Sequence, residues 1–434
     1  MRGRAGRRLR RPWRHNCIAS HAGTRLAPNS ARPTPRDGQS PNRALTDSIT
    51  RSYSVRVVSA DGPTYQDALV HGPAHRRGAG LNPGNRFESV RLHVLGEELD
   101  RRMIEREAAG CAGTLERVER QVFRDRTETI INHVARSSDV PFDWTVNPYR
   151  GCEHGCVYCY ARTYHEFIGL SCGLDFETKL VAKPDAAELL RRELASPRWK
   201  PEPIVMSAST DIYQPIEHEM RISRQCLEVM AECGQPVSTM TKSAMVLRDI
   251  DLWQTLASIG AGRVGITLVT LDPDLARTLE PRATNPAGRL RTIRELTKAG
   301  IPVTVNIAPV IPGLTDTEIP AILEAAADAG AVAASWILLR LPYQLKALFL
   351  EWLQRCVHPD RARRVESLIR QMRGGKLYDA TVARGRGQGP IAEQIAQAFK
   401  VFAKRYRLDR EWTPLSGAHF RRPVLDGQLP LFDS

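Results

Sequence analysis

The sequence predicts an α/β protein built on a parallel sheet, and three observations carry that prediction. Short β-branched stretches alternate with amphipathic helical stretches six times from Trp144 onward. Stretches such as Pro302-Val-Thr-Val-Asn-Ile-Ala308 are apolar nearly throughout, as strands are when both faces of their sheet are covered. Helix starts are also signed: Thr315-Asp-Thr-Glu318 reads as a capping box, its hydroxyl and carboxylate satisfying exposed backbone N–H groups. By itself this beat allows a doubly wound sheet or a barrel.

The strands are expected at 144–149, 203–208, 236–241, 263–269, 302–308 and 333–339. The helices between and after them fall at 160–168, 185–196, 220–233, 247–258, 286–299 and 317–328. Residues 141–340 thus form the core. Ahead of it, 75–140 is a lead-in that packs on the outside, with a strand-like piece from Arg86-Phe-Glu and a short charged helix over Glu97–Ala109. Behind it, 341–434 reads as a helical C-terminal cap, with helices at 344–356, 360–372 and 391–406 and an extended tail from Trp412.

Residues 1–74 are Arg-, Pro- and Ser-rich and hold no acidic residue before Asp37, which predicts a disordered basic N-terminal arm. The first 80 residues, with fifteen arginines, no lysine and four aspartates, carry most of the +14 net charge. The rest is nearly neutral, so charge gives no reason for the core to grip a polyanion. Nine cysteines are too few and too uneven for a secreted disulfide framework. No run of 18 apolar residues crosses a membrane, and a reducing, cytoplasmic setting is expected.

The chemistry concentrates in Asn147-Pro-Tyr-Arg-Gly-Cys-Glu-His-Gly-Cys-Val-Tyr-Cys-Tyr160. Cys152, Cys156 and Cys159 stand at C-x3-C-x2-C spacing, too tight for disulfides without distortion and suited to one soft metal centre. A structural zinc wants four ligands, and this run supplies three. A cubane iron–sulfur cluster on three thiolates leaves one iron open. His154, inside the run, is expected to be solvated. Cys172 reads as an isolated thiol, and Cys226 and Cys233 as buried small hydrophobes.

This run, with Tyr158 just before the last cysteine, resembles the cluster loop of radical S-adenosylmethionine (radical SAM) enzymes. The longer string from Phe142-Asp-Trp to Cys159-Tyr-Ala-Arg162 is similar to the spore photoproduct lyase-like branch, often labelled DNA repair photolyase. The resemblance implies a partial TIM barrel, (β/α)6, with ligands at the carboxyl ends of its strands. It implies a [4Fe–4S] cluster on the three cysteines, S-adenosylmethionine cleaved to a 5′-deoxyadenosyl radical, and a flavodoxin- or ferredoxin-type reductant. The substrate is left open, nucleic acid among the candidates.

Residue by residue, the resemblance places Ser209, Thr210 and Asp211 at the methionine amino end, within a string running on to Tyr213-Gln-Pro-Ile-Glu217. It places Lys242 as a cofactor contact after the third strand, and Val310 and Ile311 beside adenine, with Tyr158 approaching the same ring. Thr267 and Thr270 are further candidates for the ribose or the carboxylate. Arg340, Arg384 and Arg386 are candidates for an anionic substrate. Spore photoproduct lyases carry a hydrogen-returning cysteine where this chain has Ala208, which sets their repair route in doubt. The rival reading is a zinc-bearing nucleic-acid binding protein that uses the basic arm as its grip.

Overall fold

The computed structural model describes residues 68–70, 74–87, 118–134, 142–378 and 385–425. The rest of the expected basic arm, the expected helix over Glu97–Ala109 and Arg384 lie outside the described residues. The boundary expected at residue 74 falls inside an antiparallel pair, because Ala68–Val70 pairs with Leu81–Pro83. Arg86 and Phe87, expected to open a strand, form a turn in which Asn85 Oδ1 accepts the Phe87 N–H.

Six parallel strands make the core sheet: β1 (Trp144–Val146), β2 (Ile204–Met206), β3 (Val237–Thr241), β4 (Gly262–Thr267), β5 (Val303–Val310) and β6 (Ala333–Leu338). They lie side by side in chain order, with Ile131–His133 added antiparallel against β1. A doubly wound sheet reverses its strand order partway across. Here the order never reverses, so the connections all wind one way and the alternatives left open by the sequence resolve to the open barrel.

The outer layer is α1 (Ala186–Ala195), α2 (Ile222–Cys233), α3 (Ile250–Ser258), α4 (Pro286–Lys298) and α5 (Ile319–Asp328). Each has an apolar stripe that it buries against the strands, and Leu190, Leu227, Trp253, Ile293 and Ile322 are fully buried. Along β5, Val303, Val305, Ile307 and Val310 are fully buried, as the unbroken apolar run requires. Pairing of β5 with β6 shifts register between Ile307 and Val310, where Pro309 has no N–H to give the ladder.

The expected capping box at Thr315 does not form. The Thr315 hydroxyl accepts the Ile311 N–H at 2.9 Å, and Glu318 reaches across to the Thr270 hydroxyl and the Leu271 N–H. A strand-end loop with unpaired N–H groups lies closer than the helix's own first turn, and the carboxylate goes there. Other elements were also missed. Lys179–Ala182 forms a small sheet between Gln121–Arg124 and Tyr149–Arg150, and a helix spans Pro273–Leu279.

The segment after β6 divides its work. The helices α6 (Leu345–Cys356) and α7 (Pro359–Gln371) pack Leu348, Phe349, Trp352 and Val365 over the carboxyl ends of the strands. The last helix, α8 (Pro390–Arg405), lies along the β6 side, Phe399 against Trp336. Backbone carbonyls of Gly385 and Leu408 accept the N–H groups of Leu338 and Ala334 and cover the β6 edge. The tail then crosses the opposite end of the barrel. Ser416 N–H binds Gly260 O, Arg421 N–H binds Cys233 O, and Arg422 donates to the Ser196 and Trp199 carbonyls. Those acceptors precede β4, β3 and β2 in turn. None of the described helices is long and apolar enough to cross a membrane.

Trp253 is fully buried on α3 and donates its indole N–H to the Tyr213 hydroxyl at 2.9 Å. Trp253→Ala should therefore lower the unfolding free energy by about 3–5 kcal/mol in urea denaturation.

Candidate functional site

The cysteine run leaves β1 at the carboxyl-terminal end of the sheet, where the strand-end loops converge. Its turns need left-handed backbone at Gly151 (φ 79°) and Gly155 (φ 67°). A Cβ on Gly155 would stand 2.7 Å from the Glu177 carboxylate, so a side chain is excluded there as well. All three thiols are free. Cys152 and Cys156 are buried, and Cys159 is partly exposed.

The loop is held from three sides. Beneath it, the fully buried Arg162 guanidinium donates to the carbonyls of Cys156, Cys172 and Gly173 and to Glu177 Oε1 at 2.5 Å. Glu177 also accepts the N–H groups of Gly78 and Ala79, which ties the lead-in to the loop. On the β2 side, the Thr210 hydroxyl donates to Tyr149 O, Gln214 bridges Glu153 N–H and Gly151 O, and Glu217 accepts the Tyr149 hydroxyl. On the β4 side, residues 279–284 run antiparallel to the loop: Val157 N–H binds Leu279 O, Arg282 N–H binds His154 O, and Arg282 pairs with Glu153.

His154 is buried, contrary to the solvated side chain expected, because this third brace folds over it. Its Nδ1 stands 3.2 Å from Asp211 Oδ2. Asp211 further accepts from the Thr241 hydroxyl, the Lys242 N–H and the Tyr213 N–H. Burial pushes this carboxyl up, but His154 and the hydrogen-bond donors outweigh it and hold Asp211 at about 2.

The other expected contacts divide into committed and uncommitted groups. Thr270 is bound to Glu318, and the Ile311 N–H to Thr315. The Val310 carbonyl accepts from Leu339, and the Ile311 carbonyl from Leu314 and Thr315. Ser209 gives its N–H to Asn147 Oδ1, while its hydroxyl and that of the buried Thr267 have no partner among the described residues. Lys242 is partly exposed, and its ammonium forms no hydrogen bond or ion pair there. It stands 5.9 Å from the centre of the Tyr158 ring. Burial alone would lower its pKa, but Cys156 and Glu280 nearby outweigh this and raise it, so the ammonium stays charged.

Sequence reasoning missed Arg162, Glu177, Glu280 and Arg289. Glu280 is buried, accepts the Tyr158 hydroxyl and pairs with the equally buried Arg289. The available signal was a pair of opposite charges flanking the two prolines Pro281 and Pro286, where the helix Pro273–Leu279 gives way to α4. Farther out, Tyr160 donates to Ala208 O at 2.5 Å, and Arg340 faces the Tyr160 ring. Cys172 is buried beside Gln344, and Cys226 and Cys233 are buried in the core.

The donor set fits an iron–sulfur cluster. It offers three free thiols on one braced loop, and among the described residues no three Cys, His, Asp or Glu side chains close around a single metal ion. That is not the closed tetrahedron of a structural zinc. Burial pushes the Cys156 thiol up to about 12 and raises Cys152 as well. Fold and donor set together define a barrel protein with three free thiols gathered on one loop at the strand ends.

Comparison with known proteins agrees. The pattern of the radical SAM superfamily matches residues 146–326. An uncharacterised protein of Mycobacterium tuberculosis is 35% identical over 246 residues, which cover 56% of this chain and 72% of that protein. A radical SAM Nα-GlyT isomerase of Pseudomonas phage M6 is 25% identical over 269 residues, 61% of this chain and 50% of the isomerase. A solved structure of spore photoproduct lyase aligns at 16% identity and a TM-score of 0.45, covering 66% of this chain and 79% of the lyase. The chain belongs to the radical SAM superfamily, whose enzymes use a [4Fe–4S] cluster and S-adenosylmethionine.

Two outcomes follow from the braces. Arg162→Met leaves Glu177 buried without its cation and should cost about 3–5 kcal/mol in denaturation of the cluster-free protein, much of it recovered in Arg162→Met/Glu177→Gln. Asp211 titrates near 2 when folded and near 3.9 unfolded, so it stabilises above pH ~4 and that contribution is lost as pH falls toward 2. Asp211→Asn should be less stable than wild type by roughly 2 kcal/mol at neutral pH, the gap narrowing across that acid range.

Proposed function

We propose that Cys152, Cys156 and Cys159 each bind one iron of a [4Fe–4S] cluster whose fourth iron takes the amino and carboxylate groups of S-adenosylmethionine. When bound and reduced, the cluster supplies the electron that splits the sulfonium into methionine and a 5′-deoxyadenosyl radical able to take a hydrogen atom from substrate. The observation that carries this reading is a braced loop of three free thiols at the carboxyl ends of the strands, with the uncommitted Lys242 ammonium 5.9 Å from the centre of the Tyr158 ring in that loop.

In this reading Lys242 meets the methionine carboxylate, and the Ser209 hydroxyl hydrogen-bonds the amino group. Thr210 and Asp211 act one step back, holding the loop and the Lys242 backbone in place. Tyr158 closes the floor beneath the ligand, and the packed α6 and α7 exclude water from the β5 and β6 side. Thr267, at the end of β4, faces the ribose.

The electron comes from a flavodoxin- or ferredoxin-type protein. Substrate enters past Tyr160, Tyr164 and Arg340, two partly exposed rings beside a cation, which suit a planar anionic substrate such as a nucleic acid. With Ala208 where the lyases carry cysteine, any hydrogen returned to product has another source.

Anaerobic iron–sulfide reconstitution, then dithionite and S-adenosylmethionine, with 5′-deoxyadenosine assayed by mass, tests the reading. Wild type should be brown and release 5′-deoxyadenosine, and Cys→Ala at 152, 156 or 159 should lose cluster and product together. A colourless, zinc-loaded wild type that releases none would sink the proposal.

A further inference from the structure

Lys242 is held rigidly at its backbone and left free at its tip. Its N–H donates to Asp211 at 2.8 Å, and its carbonyl accepts from Thr284 at 3.1 Å. Glu280 is among the charges acting most strongly on the ammonium, and the ring under that ammonium ends in the hydroxyl that Glu280 binds. In a buried setting an ammonium and a nearby carboxylate ordinarily close into a pair. These two do not: Oε1 of Glu280 accepts from Tyr158, and its charge is met by the Arg289 guanidinium at Oε2.

Arg289 is an unexpected residue for its place. It sits in the opening turn of α4, where the helix dipole disfavours a cation, and it is almost wholly buried. Its other donors are committed to the carbonyls of Thr267 (3.0 Å) and Thr284 (2.7 Å), so the guanidinium joins the β4 end, the 279–284 brace and Glu280. Only a planar fork of five donors serves all three partners at once; an ammonium would not.

We propose that Arg289 is a positioning residue for the S-adenosylmethionine site: by holding Glu280 in an ion pair of its own it keeps the Lys242 ammonium unpaired and available to a ligand carboxylate. The inference rests on the proposed function above. Without Arg289, Lys242 turns onto Glu280 and the site loses its free cation, although Lys242 itself is unchanged.

The test measures the affinity of the reconstituted full-length protein for S-adenosylmethionine by equilibrium dialysis, with iron content and visible absorbance as loading controls. Arg289→Met should weaken binding by roughly tenfold or more, the scale of one charge-assisted contact. Arg289→Met/Lys242→Ala should bind no more weakly than Lys242→Ala alone, because the first change acts through the second residue. Arg289→Met/Glu280→Gln removes both buried charges and should return to within about threefold of wild type; it carries the test if Arg289→Met alone fails to load iron.

Wild-type affinity in Arg289→Met, losses that add in the Lys242→Ala background, or no recovery in the Glu280→Gln double variant would each overturn the inference while leaving the cofactor assignment standing. A wild type that loads iron but binds no S-adenosylmethionine overturns the proposed function, and this inference with it.

Discussion

A loop that presents three thiols cannot also be a helix or a strand, and its backbone groups must find partners elsewhere. The buried Arg162–Glu177 pair meets that constraint, and much of the site depends on it. The guanidinium gathers three carbonyls from two turns of the chain, and the carboxylate takes two N–H groups from the lead-in nearly 100 residues earlier. A buried ion pair is a weak source of stability. This one defines a shape, in which lead-in, loop and following turns adopt one arrangement in which both charges are satisfied.

The other two braces complete the cradle by a different logic. The string after β2 looks, in sequence, like a row of ligand contacts. In the structure most of its polar atoms face the protein: Thr210, Gln214 and Glu217 all grip residues 149–153. The segment 279–284 works from the far side with backbone hydrogen bonds and the Tyr158–Glu280–Arg289 chain. What remains free at the mouth is a small set of polar groups around Lys242.

The barrel was legible because its signal is repeated and local. Apolar strands and amphipathic helices each announce themselves within ten residues, and helix ends such as Asn285-Pro286 carry their own caps. The thiols were legible from spacing alone. Lys179–Ala182 was missed because four residues are too few to show a period, and Pro273–Leu279 because seven residues cut short an otherwise well-signed start at Asp272. The burial of His154 and the charge chain through Glu280 rest on partners far away in sequence, Tyr158 and Glu280 being 122 residues apart. The Thr315 box failed for the same reason, since a local motif gave way to an acceptor-hungry loop 48 residues away. Propensity reads neighbours, and this site is made of strangers.

A barrel of six strands does not close, and an unclosed sheet ordinarily exposes two rows of unpaired N–H and C=O groups that recruit other chains. Here the short antiparallel strand Ile131–His133 covers one border, and the carbonyls of Gly385 and Leu408 blunt the other. The gap in the wall is thereby separated from the danger of sticking. Neither border then presents another chain with a long row of free N–H and C=O groups.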